Sequence, residues 1–210
     1  MIRVYLVDDH AIVRAGFRAL LESTGHIRVV GEADSGESAY GDYFQLHPDV
    51  VISDISMPGE GGLVFLRRLR KRDPQACVLL MSMFDDAAFV SRGLEFGAMG
   101  YISKSDDPAL LIDAVKSVAE GNTWVAPKLA QKVMGALHQS SVNPHDVLTD
   151  REFEVFVLLA RGEDGKNIAE TLHLSPKTVG THQTRVFTKL NVKTGAELAR
   201  LAIRLGIIEA

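Results

Sequence analysis

Runs of apolar, β-favouring residues recur along the first 120 positions: IRVYLV, HIRVVGEA, DVVIS, CVLLMS and GYIS. Between them, apolar residues return every three or four positions, in AIVRAGFRALLES, GESAYGDYFQL, GLVFLRRLRKR, DAAFVSRGLEFG and PALLIDAVKSVAEG. The first pattern predicts strands and the second amphipathic helices. Five strands alternating with five helices predict a doubly wound, five-stranded parallel sheet covered on both faces. Local chemistry marks the helix ends. Ser35 and Asp85 suit N-caps, Pro108 suits a first turn, and Gly25 and Gly121 suit stops.

Past residue 121 the pattern changes. In NTWVAPKLAQKVMGALHQSSVNPHDV strand character is lost. PKLAQKVMGALH predicts a short amphipathic helix with Leu129, Val133, Met134 and Leu137 on one side, suited to packing on a neighbouring domain. The polar QSSVNPHD, with its Asn-Pro, reads as a turn or linker. From Leu148 onward the pattern is helical throughout. LTDREFEVFVLLARG opens on a capping box, Thr149 with Glu152, and stops at Gly162. KNIAETLHL follows, then SPKTVGTHQTRVFTKL with Ser175 as N-cap and Pro176 at the first helical position, then TGAELARLAIRLG. A short helix, a tight turn around LHLS and a second helix make a helix-turn-helix. The expected organisation is an α/β domain over 1–121, a linker with a short helix over 122–147, and a four-helix domain over 148–210.

Composition narrows the class. The 210 residues are 46% hydrophobic and 24% charged, as in soluble globular proteins. No apolar run approaches the roughly 18 residues of a membrane-spanning helix. No signal-peptide pattern follows Arg3, and Cys77, the single cysteine, has no partner for an internal disulfide. A cytoplasmic location without a membrane partner is expected. The net charge of −4 conceals an uneven distribution. Residues 1–147 carry 14 basic against 19 acidic groups, 148–210 carry 9 against 8, and 166–193 carry 5 against 1. An acidic unit joined to a part suited to a polyanion is the implied arrangement.

In open parallel sheets, ligands bind beyond the carboxyl ends of the strands. There the sequence places Asp8 and Asp9 after strand one, Asp54 after strand three, Ser82 after strand four and Lys104 after strand five. Three carboxylates at one mouth repel unless a cation lies among them, and oxygen-only ligands open to water suit Mg²⁺. A carboxylate can also attack phosphorus to give an aspartyl phosphate. With Asp54 as nucleophile, Mg²⁺, the Lys104 ammonium and the Ser82 hydroxyl would stabilise charge on the phosphoryl oxygens. In the last domain, Val179, Val186 and Leu190 fall on the inner face of the second helix-turn-helix helix. Its outer face shows Lys177, Thr178, Thr181, His182, Thr184, Arg185 and Lys189, residue types that contact phosphates and bases. Leu198, Leu201, Ala202 and Ile203 of the last helix are candidates for a dimer contact.

These strings resemble a known family. VDDH at 7–10, DISMPGEGG at 54–62, MSM at 81–83 and GYISK at 100–104 resemble the receiver of two-component response regulators of the NarL/FixJ type. LTDREFEV, NIAETLHLSPKTV and FTKLNV resemble a LuxR-type DNA-binding domain. The resemblance implies a flavodoxin-like receiver in which a sensor histidine kinase phosphorylates Asp54. It implies that Asp9 binds Mg²⁺ directly, Asp8 mostly through water, and that the Ser56 carbonyl is a further ligand beside Asp54. Ser82 and Tyr101 would form a switch pair, and Pro58 and Gly62 would shape the loop after the acceptor. Ser105 stands where a proline often follows the lysine, leaving that loop's geometry open. Gly180 and Thr184 stand where relatives often carry lysine, so weaker, less salt-dependent DNA binding is expected. The implied partners are the kinase, double-stranded DNA and a second copy of the chain once phosphorylated; the role also admits RNA polymerase.

Other classes compete. An aspartyl-nucleophile phosphotransfer enzyme usually needs a general acid two residues after the nucleophile, and Ser56 stands there. A flavin module lacks its Ser/Thr/Gly-rich phosphate loop after strand one, and Asp8 and Asp9 would repel a phosphate. A receiver-like regulator that ignores phosphorylation has no evident reason to keep the acceptor, acidic and lysine positions together. The expected function is a phosphorylation-gated transcription regulator, not a turnover enzyme.

Overall fold

The structure, a computed structural model, describes residues 1–83, 87–136, 144–205 and 207–208. These form two compact units, Met1–Asp85 with Gly93–Pro127, and Asp86–Arg92 with Lys128–Ala210. The first unit is built on a parallel sheet of β1 (Ile2–Val7), β2 (Ile27–Ala33), β3 (Val50–Asp54), β4 (Val78–Ser82), β5 (Gly100–Ser103) and β6 (Trp124–Val125), in the order β2-β1-β3-β4-β5-β6. Its helices are α1 (Ala11–Glu22), α2 (Gly36–Leu46), α3 (Gly62–Arg72) and α5 (Pro108–Ala119), while α4 (Ala87–Glu95) begins among the residues grouped with the second unit.

Every residue of β3, β4 and β5 is buried, as expected for strands covered on both faces. Val4, Leu6, Ile52, Leu79, Met81 and Ile102 pack in one cluster with Leu21 of α1 and Leu111, Val115 and Val118 of α5. The alternate positions, including Tyr5, Val51 and Leu80, fall on the opposite face by the two-residue period of a strand. The sheet exceeds the expected five strands by one. Trp124 and Val125 pair with Gly100 and Tyr101, and the Trp124 N–H donates to the Met99 carbonyl at 2.9 Å. The stretch that lost strand character on paper therefore opens with a strand too short to show a period. Several end signals are realised. Ser35 caps α2, Pro108 starts α5 behind the Asp107 cap, and Gly25 and Gly121 take φ of +70° and +84°. Asp85 lies outside the described residues.

The second unit contains α6 (Pro127–Ala136), α7 (Pro144–Val147), α8 (Asp150–Ala160), α9 (Gly165–Thr171), α10 (Pro176–Lys189) and α11 (Gly195–Arg204). In α6, Leu129 is buried and Val133 partly so, while Leu137 and most of the polar linker lie outside the described residues. Thr149 and Glu152 form both halves of the capping box on α8. Ser175 caps α10, with Pro176 in its first turn. Between α9 and α10 the chain turns through His173 at φ +52°, with the Leu174 N–H on the Ala169 carbonyl at 2.8 Å. Phe153, Phe156, Ile168, Leu172, Val179, Val186, Leu198 and Ala202 are buried. This corrects the reading of the last helix, because Leu198 and Ala202 belong to the core and leave only Leu201 and Ile203 partly or well exposed. Among the described residues, no helix is long and apolar enough to cross a membrane.

Candidate functional sites

The sheet register brings the candidate residues level. Val7 pairs with Ser53, Asp54 with Met81, and Ser82 with Ser103. Asp8 follows β1 directly, Asp54 and Ser82 end their strands, and Lys104 follows β5. Asp8 and Asp54 are each 2% exposed, yet both are carboxylates. The Lys104 ammonium answers them, lying 2.6 Å from Asp54 Oδ2 and 2.7 Å from Asp8 Oδ2. Asp8 Oδ1 accepts from the His10 N–H at 2.8 Å, and Asp54 Oδ1 from the Ser56 N–H at 3.2 Å.

Burial pushes the Asp54 carboxyl up to about 6; Lys104 pulls against this and Asp8 adds to it. Burial alone would lower the Lys104 ammonium, but Asp54 and Asp8 outweigh it and hold it above the ordinary lysine value. Asp9, beside the pair, lies 2.9 Å from His10 Nδ1. Carboxylate oxygens of Asp8, Asp9 and Asp54 and a His10 nitrogen all lie within 4.8 Å of one another. A cluster of hard oxygen donors with excess negative charge fits a small divalent cation. The Ser82 side chain at the end of β4 and the Tyr101 side chain within β5 are fully buried. The loop after Lys104 has trans peptides, with the Ser103 and Ser105 hydroxyls 2.8 Å apart.

Gly62, expected to shape the loop after the acceptor, does so through a backbone contact that the sequence does not show. The chain leaves β3 and doubles back so tightly that the Gly62 N–H donates to the Ile55 carbonyl at 2.9 Å. A Cβ on Gly62 would lie 2.0 Å from the Asp54 carbonyl oxygen. Gly62 therefore seats the acceptor against the first turn of α3.

On α10, Lys177, Thr181, Thr184, Arg185 and Lys189 are exposed, and Thr178 and His182 partly buried. The Thr178 hydroxyl lies 2.8 Å from the Ser175 hydroxyl, within the cap. Burial holds His182 below the ordinary histidine value, with Arg185 and Arg151 adding to this and Glu152 opposing it. Lys189 reaches back to Glu152, its ammonium 2.6 Å from Oε2. Burial would raise the Glu152 carboxyl, but Lys189 and Thr149 outweigh it and hold it below the usual 4.5. Lys189 thus pins the end of α10 to the start of α8. Asp150 and Glu154 of the same DREFE run are also buried, with Arg92 2.7 Å from Asp150 and Arg151 2.6 Å from Glu154.

A test follows from the sign of the Glu152 shift. A depressed carboxylate stabilises the fold above its unfolded value and loses that contribution as pH falls through the folded one. Lys189→Gln is therefore expected to lower unfolding free energy at pH 7 by about 1 kcal/mol, the low end for a buried charged acceptor losing its donor, because Lys189 is partly exposed and screened. In urea titrations at pH 7, 5 and 4, the difference from wild type should shrink toward pH 4. An equal difference at all three would refute the assignment.

Comparison with known proteins agrees with this geometry. Residues 4–116 match the response regulator receiver domain family, and residues 146–202 match the bacterial regulatory proteins of the luxR family. Over its whole length the chain is 38% identical to the response regulator GacA of Pseudomonas viridiflava, covering 99% of that protein. It is 37% identical to the response regulator UvrY of Escherichia coli, covering 97%. Among solved structures, RcsB from Salmonella enterica serovar Typhimurium, bound to a promoter in the presence of the phosphomimetic BeF3−, is similar over 99% of both chains, with a TM-score of 0.65 and 26% identity. The chain belongs to the response regulators, with a receiver followed by a LuxR-type DNA-binding domain. It is a phosphorylation-gated transcription regulator, not a turnover enzyme.

Proposed function

We propose that Asp54 is the phosphoacceptor, that Mg²⁺ assists it, and that phosphorylation by a sensor histidine kinase drives the chain to bind double-stranded DNA as a homodimer. The receiver spans 1–121 together with β6, which carries its sheet to Val125, the linker occupies the rest of 122–147, and the DNA-binding domain is 148–210. The observation that carries this reading is the pairing of buried Asp54 with Lys104 beside Asp8 and Asp9. An Asp54 carboxylate oxygen attacks the phosphorus, a new P–O bond forms, and the bond to the donor breaks with its electron pair leaving on the donor. Lys104, already on Asp54, stands ready to bind a phosphoryl oxygen, and the Ser82 hydroxyl supports another. Asp9, Asp54 and the Ser56 carbonyl would hold Mg²⁺, with Asp8 assisting. When bound, the ion neutralises charge on the phosphoryl oxygens and the carboxylates. Tyr101, buried on β5 upstream of Lys104, completes the switch with Ser82. Lys177, Thr178, Thr181, His182, Thr184, Arg185 and Lys189 form the DNA-facing set. The location is cytoplasmic, where kinase and DNA meet, and the role admits RNA polymerase as a further partner.

Intact-mass measurement after incubation with acetyl phosphate tests the chemistry. One phosphoryl group should add in Mg²⁺ and none in EDTA. Asp9→Ala should raise the Mg²⁺ concentration for half-maximal labelling more than Asp8→Ala, because both Asp8 oxygens are already engaged by His10 and Lys104. Full labelling in EDTA would refute the metal role.

A further inference from the structure

We propose that α10 selects its half-site through thymine methyl groups, with the γ-methyls of Thr181 and Thr184 as the reading atoms and their hydroxyls excluded as donors to a base. This rests on the assignment of α10 as the DNA-contacting helix, and it specifies what that helix recognises. The carrying observation is where the hydroxyl protons go. Thr181 Oγ1 donates to the Lys177 carbonyl at 3.1 Å, and Thr184 Oγ1 to the Gly180 carbonyl at 3.0 Å. Thr188 repeats the pattern on the Thr184 carbonyl at 2.9 Å. A threonine hydroxyl has one proton, and here the helix's own backbone takes it. A hydroxyl so engaged cannot donate to guanine O6 or N7 or to thymine O4. With its oxygen turned onto the backbone, the exposed side chain has its methyl as the remaining outward group.

The surroundings leave that methyl unobstructed. Lys177, Thr181, Thr184 and Thr188 are spaced by four, three and four, so they share one face of α10. Gly180 is exposed beside them, and a Cβ there would meet nothing within 4 Å, so no side chain stands between this face and a base edge. Thr178 is occupied in the cap with Ser175, and His182 is partly buried. Base reading on this face therefore falls to Thr181 and Thr184, while exposed Lys177 and Arg185 supply charge toward phosphates. The apolar feature unique to one base in the major groove is the thymine C5-methyl, so the expected half-site carries A·T pairs where these threonines point.

The test uses the full chain, phosphorylated with acetyl phosphate, on the tightest duplex selected from a random pool. Each threonine is replaced by Val, which keeps the methyl, and by Ser, which keeps the hydroxyl. The duplex is prepared with thymine or uracil at each A·T pair. Thr181→Val and Thr184→Val should bind within twofold of wild type. Thr181→Ser and Thr184→Ser should each lose about fourfold, the value of one buried methyl. Uracil should weaken wild type by a similar factor and leave the matching Ser variant unchanged. The proposal is overturned if Ser binds as wild type while Val is weak, or if uracil has no effect at any position. A chain that prefers no duplex over random DNA overturns it together with the DNA reading, whereas tight binding with tolerant Ser variants overturns the methyl reading alone.

Discussion

Asp54→Asn is expected to abolish uptake of a phosphoryl group from acetyl phosphate, leaving no added mass after hours in Mg²⁺. The amide retains the shape of the side chain but lacks the lone-pair basicity and charge of the nucleophile. No other carboxylate substitutes, because Asp8 is held by Lys104 and His10 and Asp9 lies beside His10. Lys104→Ala gives a different outcome. The nucleophile survives, so labelling continues, slowed about 10²-fold as for loss of one preorganised charge-stabilising group. Removing the ammonium also leaves burial and Asp8 opposed only by the Ser56 N–H, raising the Asp54 carboxyl above about 6. The defect of Lys104→Ala should therefore deepen as pH is lowered from 8 to 6. A labelled Asp54→Asn variant would place the acceptor elsewhere.

Gly62→Ala is expected to be the most damaging small substitution near the site. The added methyl would sit 2.0 Å from the Asp54 carbonyl oxygen and 3.0 Å from Ile55 Cα, and neither is a flexible side chain that can swing aside. Relief requires moving either the end of β3 or the start of α3. Overpacking of this kind lowers stability by about 3 kcal/mol, on the order of 10 °C in melting temperature for the unit concerned. Because the displaced atoms belong to Asp54 itself, the folded fraction should also label more slowly. By contrast, Gly180→Ala, where an added Cβ meets open space, should stabilise α10 by up to about 1 kcal/mol. Thermal melts of the two variants should move in opposite directions.

Much of this architecture was legible in the residues, for identifiable reasons. The strands of a sheet covered on both faces must be apolar throughout, and VVISD and VLLMS are nearly so. Their polar ends, Asp54 and Ser82, stand out against that background and mark the site. The capping box at Thr149 and the Ser175–Pro176 start are local chemistry, readable without tertiary information. What escaped is non-local or too short. Two residues cannot show a strand period, so Trp124–Val125 passed as connector. The pairing of Lys189 with Glu152 joins residues 37 apart, and a lysine on a polar helix face gives no sign of it. The four candidates on α11, Leu198, Leu201, Ala202 and Ile203, span too wide an arc for pattern alone to separate the core pair, Leu198 and Ala202, from the outward pair. The approach of Gly62 to Asp54 is a backbone contact with no side-chain signature.

The central claim is that phosphate on Asp54 controls the hold of α10 on DNA. Its most direct test is a fluorescence titration of the selected duplex with the full chain, untreated and acetyl phosphate-treated, alongside Asp54→Asn treated identically. The expected result is tighter binding of the wild-type chain after treatment, by tenfold or more, with the variant unchanged and weak. Equal affinity of treated and untreated wild type, or the same gain in Asp54→Asn, would contradict it.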